Sequence, residues 1–167
     1  LHLADKYKNK VFWLVKPHPL LRTHSVEVDI FKNEASYENY LKQWEETGVA
    51  KVIEDGDYFG LFKESDAMIT DSVSFLAEYQ FSGKPLLLLD SGKQTFNEFG
   101  NAIKSILYKC SGNEFERIED FVLNVINGND PMAQNRKNFF IKSLAYTDGK
   151  ILACDKIYRL INEELKK

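Results

Sequence analysis

Four leucines in a row, Leu86 to Leu89, stand between Gly83-Lys-Pro85 and Asp90. A strand with one wet face alternates apolar and polar residues. An unbroken apolar run closed at both ends by turn formers predicts a strand covered on both faces. Strands of that kind belong to parallel sheets, whose crossovers are usually helices. This run therefore limits the chain to an α/β architecture.

The remaining pattern agrees. Val11 to Val15 is a short apolar run rich in β-branched and aromatic residues, and it predicts a buried strand. Tyr37, Tyr40, Leu41 and Trp44 recur at helical spacing and predict a helix over 34–46, with Gly48 just past its end. Further strands are predicted at Lys51–Ile53, Ala67–Thr70 and Tyr108–Cys110. Helices are predicted over 58–63, 72–81, 96–107, from Phe115 to about Val125, and from Pro131 to about Leu144. A last helix carries Cys154, Ile157, Tyr158, Ile161 and Leu165. No linker, repeat or low-complexity tract interrupts this alternation. It predicts one α/β domain over residues 1–167, a doubly wound parallel sheet with helices on both faces.

With 44% hydrophobic residues in 167, the chain has enough apolar material for a true core. A net charge of −3 argues against nucleic acid or an anionic membrane as the main partner. Cys110 and Cys154 each lie in an apolar pattern and read as buried free thiols of a reducing compartment rather than a disulfide. No apolar run reaches the ~18 residues of a membrane span, and no signal-peptide core opens the chain. The start at Leu1 predicts a piece of a longer protein. The expected location is the cytoplasm, with the full-length protein peripheral to the inner face of a membrane.

In doubly wound sheets, ligands bind at the carboxyl ends of the strands. Two polar stretches fall at such ends, Lys16-Pro-His-Pro19 and Thr70-Asp-Ser-Val-Ser74. A helix starting at Asp71 or Ser72 presents unpaired amides and the positive end of its dipole. A phosphate there would receive hydrogen bonds from the amides and from the Ser72 and Ser74 hydroxyls. The plainer reading is that Asp71 or Ser72 only caps the helix. At about 100° per residue, Ser74 and Glu78 share the helix side opposite Phe75, Leu76 and Tyr79. Glu78 is thereby placed to accept hydrogen bonds from ribose hydroxyls, or to be a solvated carboxylate. Thr70 and Asp71 complete this group.

His18, held between two prolines, has a fixed backbone and an exposed ring, and both a structural and a functional role fit it. Lys16 either contacts phosphate or is solvated. Glu54, Asp55 and Asp57 read as a solvated acidic loop. His2 and His24 lack partners at ligand spacing, so no metal site is predicted. No Gly-x-Gly-x-x-Gly, Walker loop or nucleophile elbow occurs, which argues against dinucleotide oxidoreductases, P-loop NTPases and α/β-hydrolases. A receiver-type signalling domain would need an acidic strand-end cluster that the chain does not show.

The stretch from Ser65-Asp66 through Thr70-Asp-Ser-Val-Ser74 to Lys84-Pro85, with Lys16-Pro-His-Pro19 upstream, resembles the carboxyl-terminal half of the CDP-glycerol glycerophosphotransferase family. Those enzymes build teichoic-acid-like polymers on a two-domain GT-B fold. The resemblance implies that His18 touches the donor's phosphates or assists departure of the nucleotide. By position, Thr70, Asp71 and Ser74 match the family's Thr-Asp and final Ser, and Glu78 stands where the family has an acidic residue. Ser72 and Val73 depart from its Tyr and first Ser. Asp148-Gly149-Lys150 is similar to the family's Asp-Gly-Lys, although Ile151-Leu-Ala-Cys154 differs from the small or hydroxyl residue and Arg that the family usually carries next. The same elements are similar to the nucleotide-binding half of UDP-N-acetylglucosamine 2-epimerase, in which a serine holds phosphate and a glutamate holds ribose.

The resemblance implies a nucleotide-linked donor such as CDP-glycerol, a lipid-linked or glycan acceptor, and no required cofactor. It also implies a missing amino-terminal domain that supplies the catalytic base, so that this piece alone binds nucleotide weakly and does not turn over. The alternative from another class is a non-catalytic nucleotide-binding or interaction domain, to which Val73 would be suited.

Overall fold

A computed structural model describes residues 1–54, 56, 58–145 and 153–166. The Asp148-Gly149-Lys150 element, and Asp55 and Asp57 of the acidic loop, lie outside the described residues. The chain divides into two compact units, Leu1–Glu64 and Ser65–Lys167.

The first unit contains α1 (His2–Lys6), β1 (Trp13–Val15), α2 (Leu21–Glu27), α3 (Glu34–Glu46), β2 (Ala50–Val52) and α4 (Tyr58–Glu64). β1 and β2 pair in parallel, with Trp13 opposite Ala50 and Val15 opposite Val52. Helix α3 spans the residues its periodicity predicts. Asn33 caps it by accepting from the Ser36 amide at 2.9 Å, which satisfies one of the orphan donors of the first turn. Its apolar side buries Tyr37 and Leu41. Phe31 packs on Tyr37 and Tyr40, with ring centroids 5.6 and 5.4 Å away. Gly48, at φ 70, makes the left-handed turn that sends the chain into β2.

The Val11–Val15 run departs from expectation. Its strand is three residues long, and Phe12 and Leu14 are exposed instead of buried. Side chains alternate across a strand, so the run has one covered side and one open side that its composition does not distinguish.

The second unit contains β3 (Met68–Thr70), α5 (Phe75–Tyr79), a 3₁₀ turn (Gln80–Ser82), β4 (Leu86–Leu89), α6 (Glu98–Lys104), β5 (Tyr108–Cys110), α7 (Phe115–Ile126), α8 (Ala133–Ser143) and α9 (Ala153–Glu164). Its sheet is parallel throughout, in the order β3-β4-β5. The leucine run is the central strand, and Leu86, Leu87 and Leu88 are all buried. Each such side chain contributes about 1.5–3 kcal/mol relative to leaving it in water. Leu87 joins Cys110 and Phe121 in a core cluster, flanked by Ile69, Tyr108, Ile118 and Val125. Alternation turns Leu86 and Leu88 to the other face. The leucine run thus sits covered on both sides, as its lack of alternation requires.

The parallel strands and crossover helices agree with the predicted α/β class. In place of one continuous sheet, hydrogen bonds among the described residues form two short ladders, β1-β2 and β3-β4-β5. Two expectations are corrected. The helix predicted over 72–81 begins only at Phe75 and tightens into the 3₁₀ turn at Gln80. Cys154 is exposed, whereas Cys110 is buried as predicted. Cys154 lies on α9, whose apolar residues Ile157, Tyr158, Leu160 and Ile161 are also exposed, as is Leu165 just beyond it. An apolar stripe in sequence records a capacity for burial, and here that capacity is not used.

Candidate functional site

In the first unit, the carboxyl ends of β1 and β2 are tied together by Lys16, whose Nζ donates to the Glu54 carbonyl at 3.2 Å. The lysine is thus held by the backbone. His18 follows on the exposed loop, and its Nδ1 accepts from the Leu20 amide at 3.1 Å. That bond places the proton of the neutral ring on Nε2, which leaves Nε2–H as the donor His18 offers. Nearby in the same unit, the Arg22 guanidinium lies 2.5 Å from the Glu38 carboxylate and 3.6 Å from that of Glu54, with Tyr37 beneath it at 5.8 Å. Sequence reasoning missed Arg22. Its helix α2 is short and of weak periodicity, and its partners are remote in sequence.

In the second unit, the loop after β3 carries Thr70, Asp71, Ser72 and Ser74. Thr70 Oγ1 accepts from the Ser72 amide at 3.0 Å, and Ser72 Oγ accepts from the Ser74 amide at 3.3 Å. Hydroxyl-closed turns of this kind compete with helix formation, and they explain why α5 starts late. They also correct the expected chemistry. The amides of Ser72 and Ser74 already donate to hydroxyls, and α5 has only five residues, without a side-chain cap at Ser74. The Ser72 and Ser74 amides are thus taken, and the loop's O–H groups are among the donors it presents, since a hydroxyl that accepts a backbone N–H keeps its own proton for another acceptor. Asp71 and Ser74 are exposed. Glu78, partly exposed on the first turn of α5, lies four residues beyond Ser74, on a helix whose buried side chains are Leu76 and Tyr79.

The loop after β4 adjoins this one through a residue the sequence did not single out. Gln94 Nε2 donates to the Asp71 carbonyl at 3.3 Å and to the Leu89 carbonyl at 3.2 Å. In the same loop Asp90 accepts from the Gly92 amide at 3.0 Å, and its carboxylate lies 2.5 Å from Lys104 Nζ. The hydrogen bond from Lys104, with that from Gly92, holds the Asp90 carboxyl below the usual carboxylate range. After β5, the Ser111 amide donates to Glu114 at 2.6 Å, and Arg117 bridges from Glu114 to the Lys109 carbonyl. The Ser111 amide first, and Arg117 second, hold the Glu114 carboxyl low. The signal that would have found Asp90 and Gln94 was present, because Asp90-Ser-Gly-Lys-Gln94 is a polar loop directly after the leucine strand. It needed the strand-end rule applied to β4 as well as to β3.

The predicted site residues thus fall into two groups. Lys16 and His18 belong to the first unit, and Thr70, Asp71, Ser72, Ser74 and Glu78 to the second. Among the described residues, no group of three or more His, Cys, Asp or Glu side chains is arranged to hold a metal ion. No helix among them is long and apolar enough to cross a membrane.

Short parallel strands joined by helices and ending in polar loops define a mixed α/β protein. Within that class the chain has a family. It belongs to the CDP-glycerol:poly(glycerophosphate) glycerophosphotransferases, whose family model matches residues 1–163. Neither the curated proteins nor the solved structures give a match to this chain.

Proposed function

We propose that this chain is the nucleotide-diphosphate donor-binding domain of a glycerophosphotransferase acting in teichoic-acid-like polymer synthesis, the carboxyl-terminal half of a GT-B enzyme with a doubly wound sheet. Membership of the family supports the activity. The observation that carries the donor-binding role is the hydroxyl loop Thr70–Ser74 at the carboxyl end of β3, one turn before Glu78.

In this reading the donor is CDP-linked. The hydroxyl protons of Thr70, Ser72 and Ser74 are its phosphate donors, and Glu78 accepts from the ribose hydroxyls. Asp71, an exposed carboxylate, does not itself meet phosphate. It contributes through its backbone carbonyl. His18, with its Nε2–H as donor, and Lys16 belong to the first unit, and their role toward phosphate rests on the family resemblance alone. The acceptor's hydroxyl oxygen attacks the phosphorus that carries glycerol. The phosphoanhydride bond to the other phosphorus breaks, and CMP leaves with the bonding electron pair. The acceptor's proton goes to a base supplied by an amino-terminal domain. Hydrogen bonds to the departing phosphate lower the barrier because its charge grows in the transition state. No metal is needed for that scheme, and the acceptor is a lipid-linked or glycan hydroxyl.

Calorimetric titration of the chain with CDP, UDP and AMP tests the reading, repeated with Ser74→Ala and Glu78→Ala. Selective CDP binding weakened about threefold to tenfold by each substitution is expected, the loss of one or two modest hydrogen bonds. Binding that neither substitution alters would place the nucleotide elsewhere.

A further inference from the structure

We infer that Gln94 is a positioning residue, one that fixes the Thr70–Ser74 loop against the end of β4 and so sets where its hydroxyls stand. The inference rests on the donor-binding reading of that loop. The Gln94 amide donates to two carbonyls, those of Asp71 and Leu89. Its Oε1 accepts twice, from the Ser91 amide and from Ser91 Oγ, each at 3.0 Å. A carboxamide offers two donors and two acceptor positions, so the side chain is fully engaged.

The chemistry also dictates which residue serves. Asp71 and Leu89 present carbonyls, which only accept, and the Ser91 amide only donates. A side chain reaching both needs a donor end and an acceptor end on one rigid plane. Glutamate has no donor when ionised, and leucine has neither end. The contact to Asp71 spans 23 residues and joins the β3 loop to the β4 loop. Asp71 itself is the middle residue of the first hydroxyl-closed turn, Thr70 to Ser72, which shares Ser72 with the second, Ser72 to Ser74. Holding its carbonyl therefore holds the frame on which both turns are built. Gln94 need not touch the donor to act.

Gln94→Glu and Gln94→Leu, in the full 167-residue chain, test this. Amide hydrogen exchange at Ser72 and Ser74 is read against Leu87 and Leu88 of the central strand. The expected result is a roughly threefold or greater loss of protection at Ser72 and Ser74 in both variants, with Leu87 and Leu88 unchanged. In Gln94→Glu, the lost protection should return as pH falls through the glutamic acid range near about 4.3, because the protonated acid regains one donor. Gln94→Leu should show no such return. CDP affinity should fall about threefold to tenfold in both variants at neutral pH while the melting temperature holds. Unchanged protection at Ser72 and Ser74 would overturn the inference, as would loss of protection with full CDP affinity. Absence of CDP binding in the unsubstituted chain would overturn the donor-binding reading instead, with the exchange data still deciding whether Gln94 holds the loop.

Discussion

Arg136 and Asp130 form an ion pair in which the guanidinium is almost wholly buried, at 3% exposure, while the carboxylate keeps a wet edge at 21%. The pair anchors the start of α8 to the sheet. Tyr108 of β5 donates to Asp130 Oδ1 at 2.9 Å, and Arg136 reaches the Gly83 carbonyl at 3.4 Å. A charge so deep is costly to strand. Arg136→Met should lower stability by about 2–4 kcal/mol, since it leaves a partly buried carboxylate without its cation. At this chain length that is a fall of roughly 4–16 °C in melting temperature. Adding Asp130→Leu should recover part of the loss. A double variant no more stable than the single one would show that the pair itself was of little consequence.

The same carboxylate predicts acid sensitivity. Burial pushes the Asp130 carboxyl up, but the hydrogen bonds from Arg136 and Tyr108 outweigh it and hold the group below its ordinary value. A group whose pKa is lower folded than unfolded stabilises fully above the unfolded value, near about 3.9, and loses that contribution as pH falls through the folded value. Asp90, held low by Lys104 and Gly92, acts in the same direction. Urea midpoints should therefore drop steeply below about pH 4. Asp130→Asn should start lower at pH 7 and show a shallower acid limb. An acid limb as steep as that of the unsubstituted chain would assign the effect to other carboxylates.

The two cysteines should separate by reactivity. Burial raises the Cys110 thiol above its ordinary pKa and hides it in the core beside Leu87 and Phe121, whereas Cys154 is exposed. Titration of the native chain with a thiol reagent should modify Cys154 promptly and Cys110 only on unfolding, because the attacking species is an accessible thiolate. Peptide mass analysis assigns the site. Rapid labelling of Cys110 would mean that the sheet opens at its β5 edge.

Within the core, Leu88→Ala should cost about 2–5 kcal/mol, the usual range for emptying a well-packed leucine site. Leu14→Ala, on the half-open β1, should cost under about 1 kcal/mol because much of that side chain is already in water. Chemical denaturation of the two variants gives the comparison. Equal losses would mean that Leu14 is covered in solution.

Much of this chain could be read from its residues alone, because the deciding physics is local. The leucine run determined a strand covered on both faces, since no alternation was available to leave a side for water. The stripe Tyr37–Tyr40–Leu41–Trp44 and Gly48 determined α3, through a period and a left-handed stop, and the structure adds Asn33 as its cap. Thr70-Asp-Ser-Val-Ser74 and Lys16-Pro-His-Pro19 marked the polar strand ends. Other features were settled only by tertiary structure. The helix after β3 was expected to start at Ser72. Hydroxyl-closed turns at Thr70 and Ser72 compete with the helix there, and the neighbouring loop meets this one through the bond from Gln94 to the Asp71 carbonyl. The burial of Arg136, the exposure of Cys154 and the bond from Gln94 to Asp71 all depend on residues far apart in sequence. No periodicity records such pairings. A side chain's own chemistry states what it is able to bond, and only the folded chain decides which partner arrives.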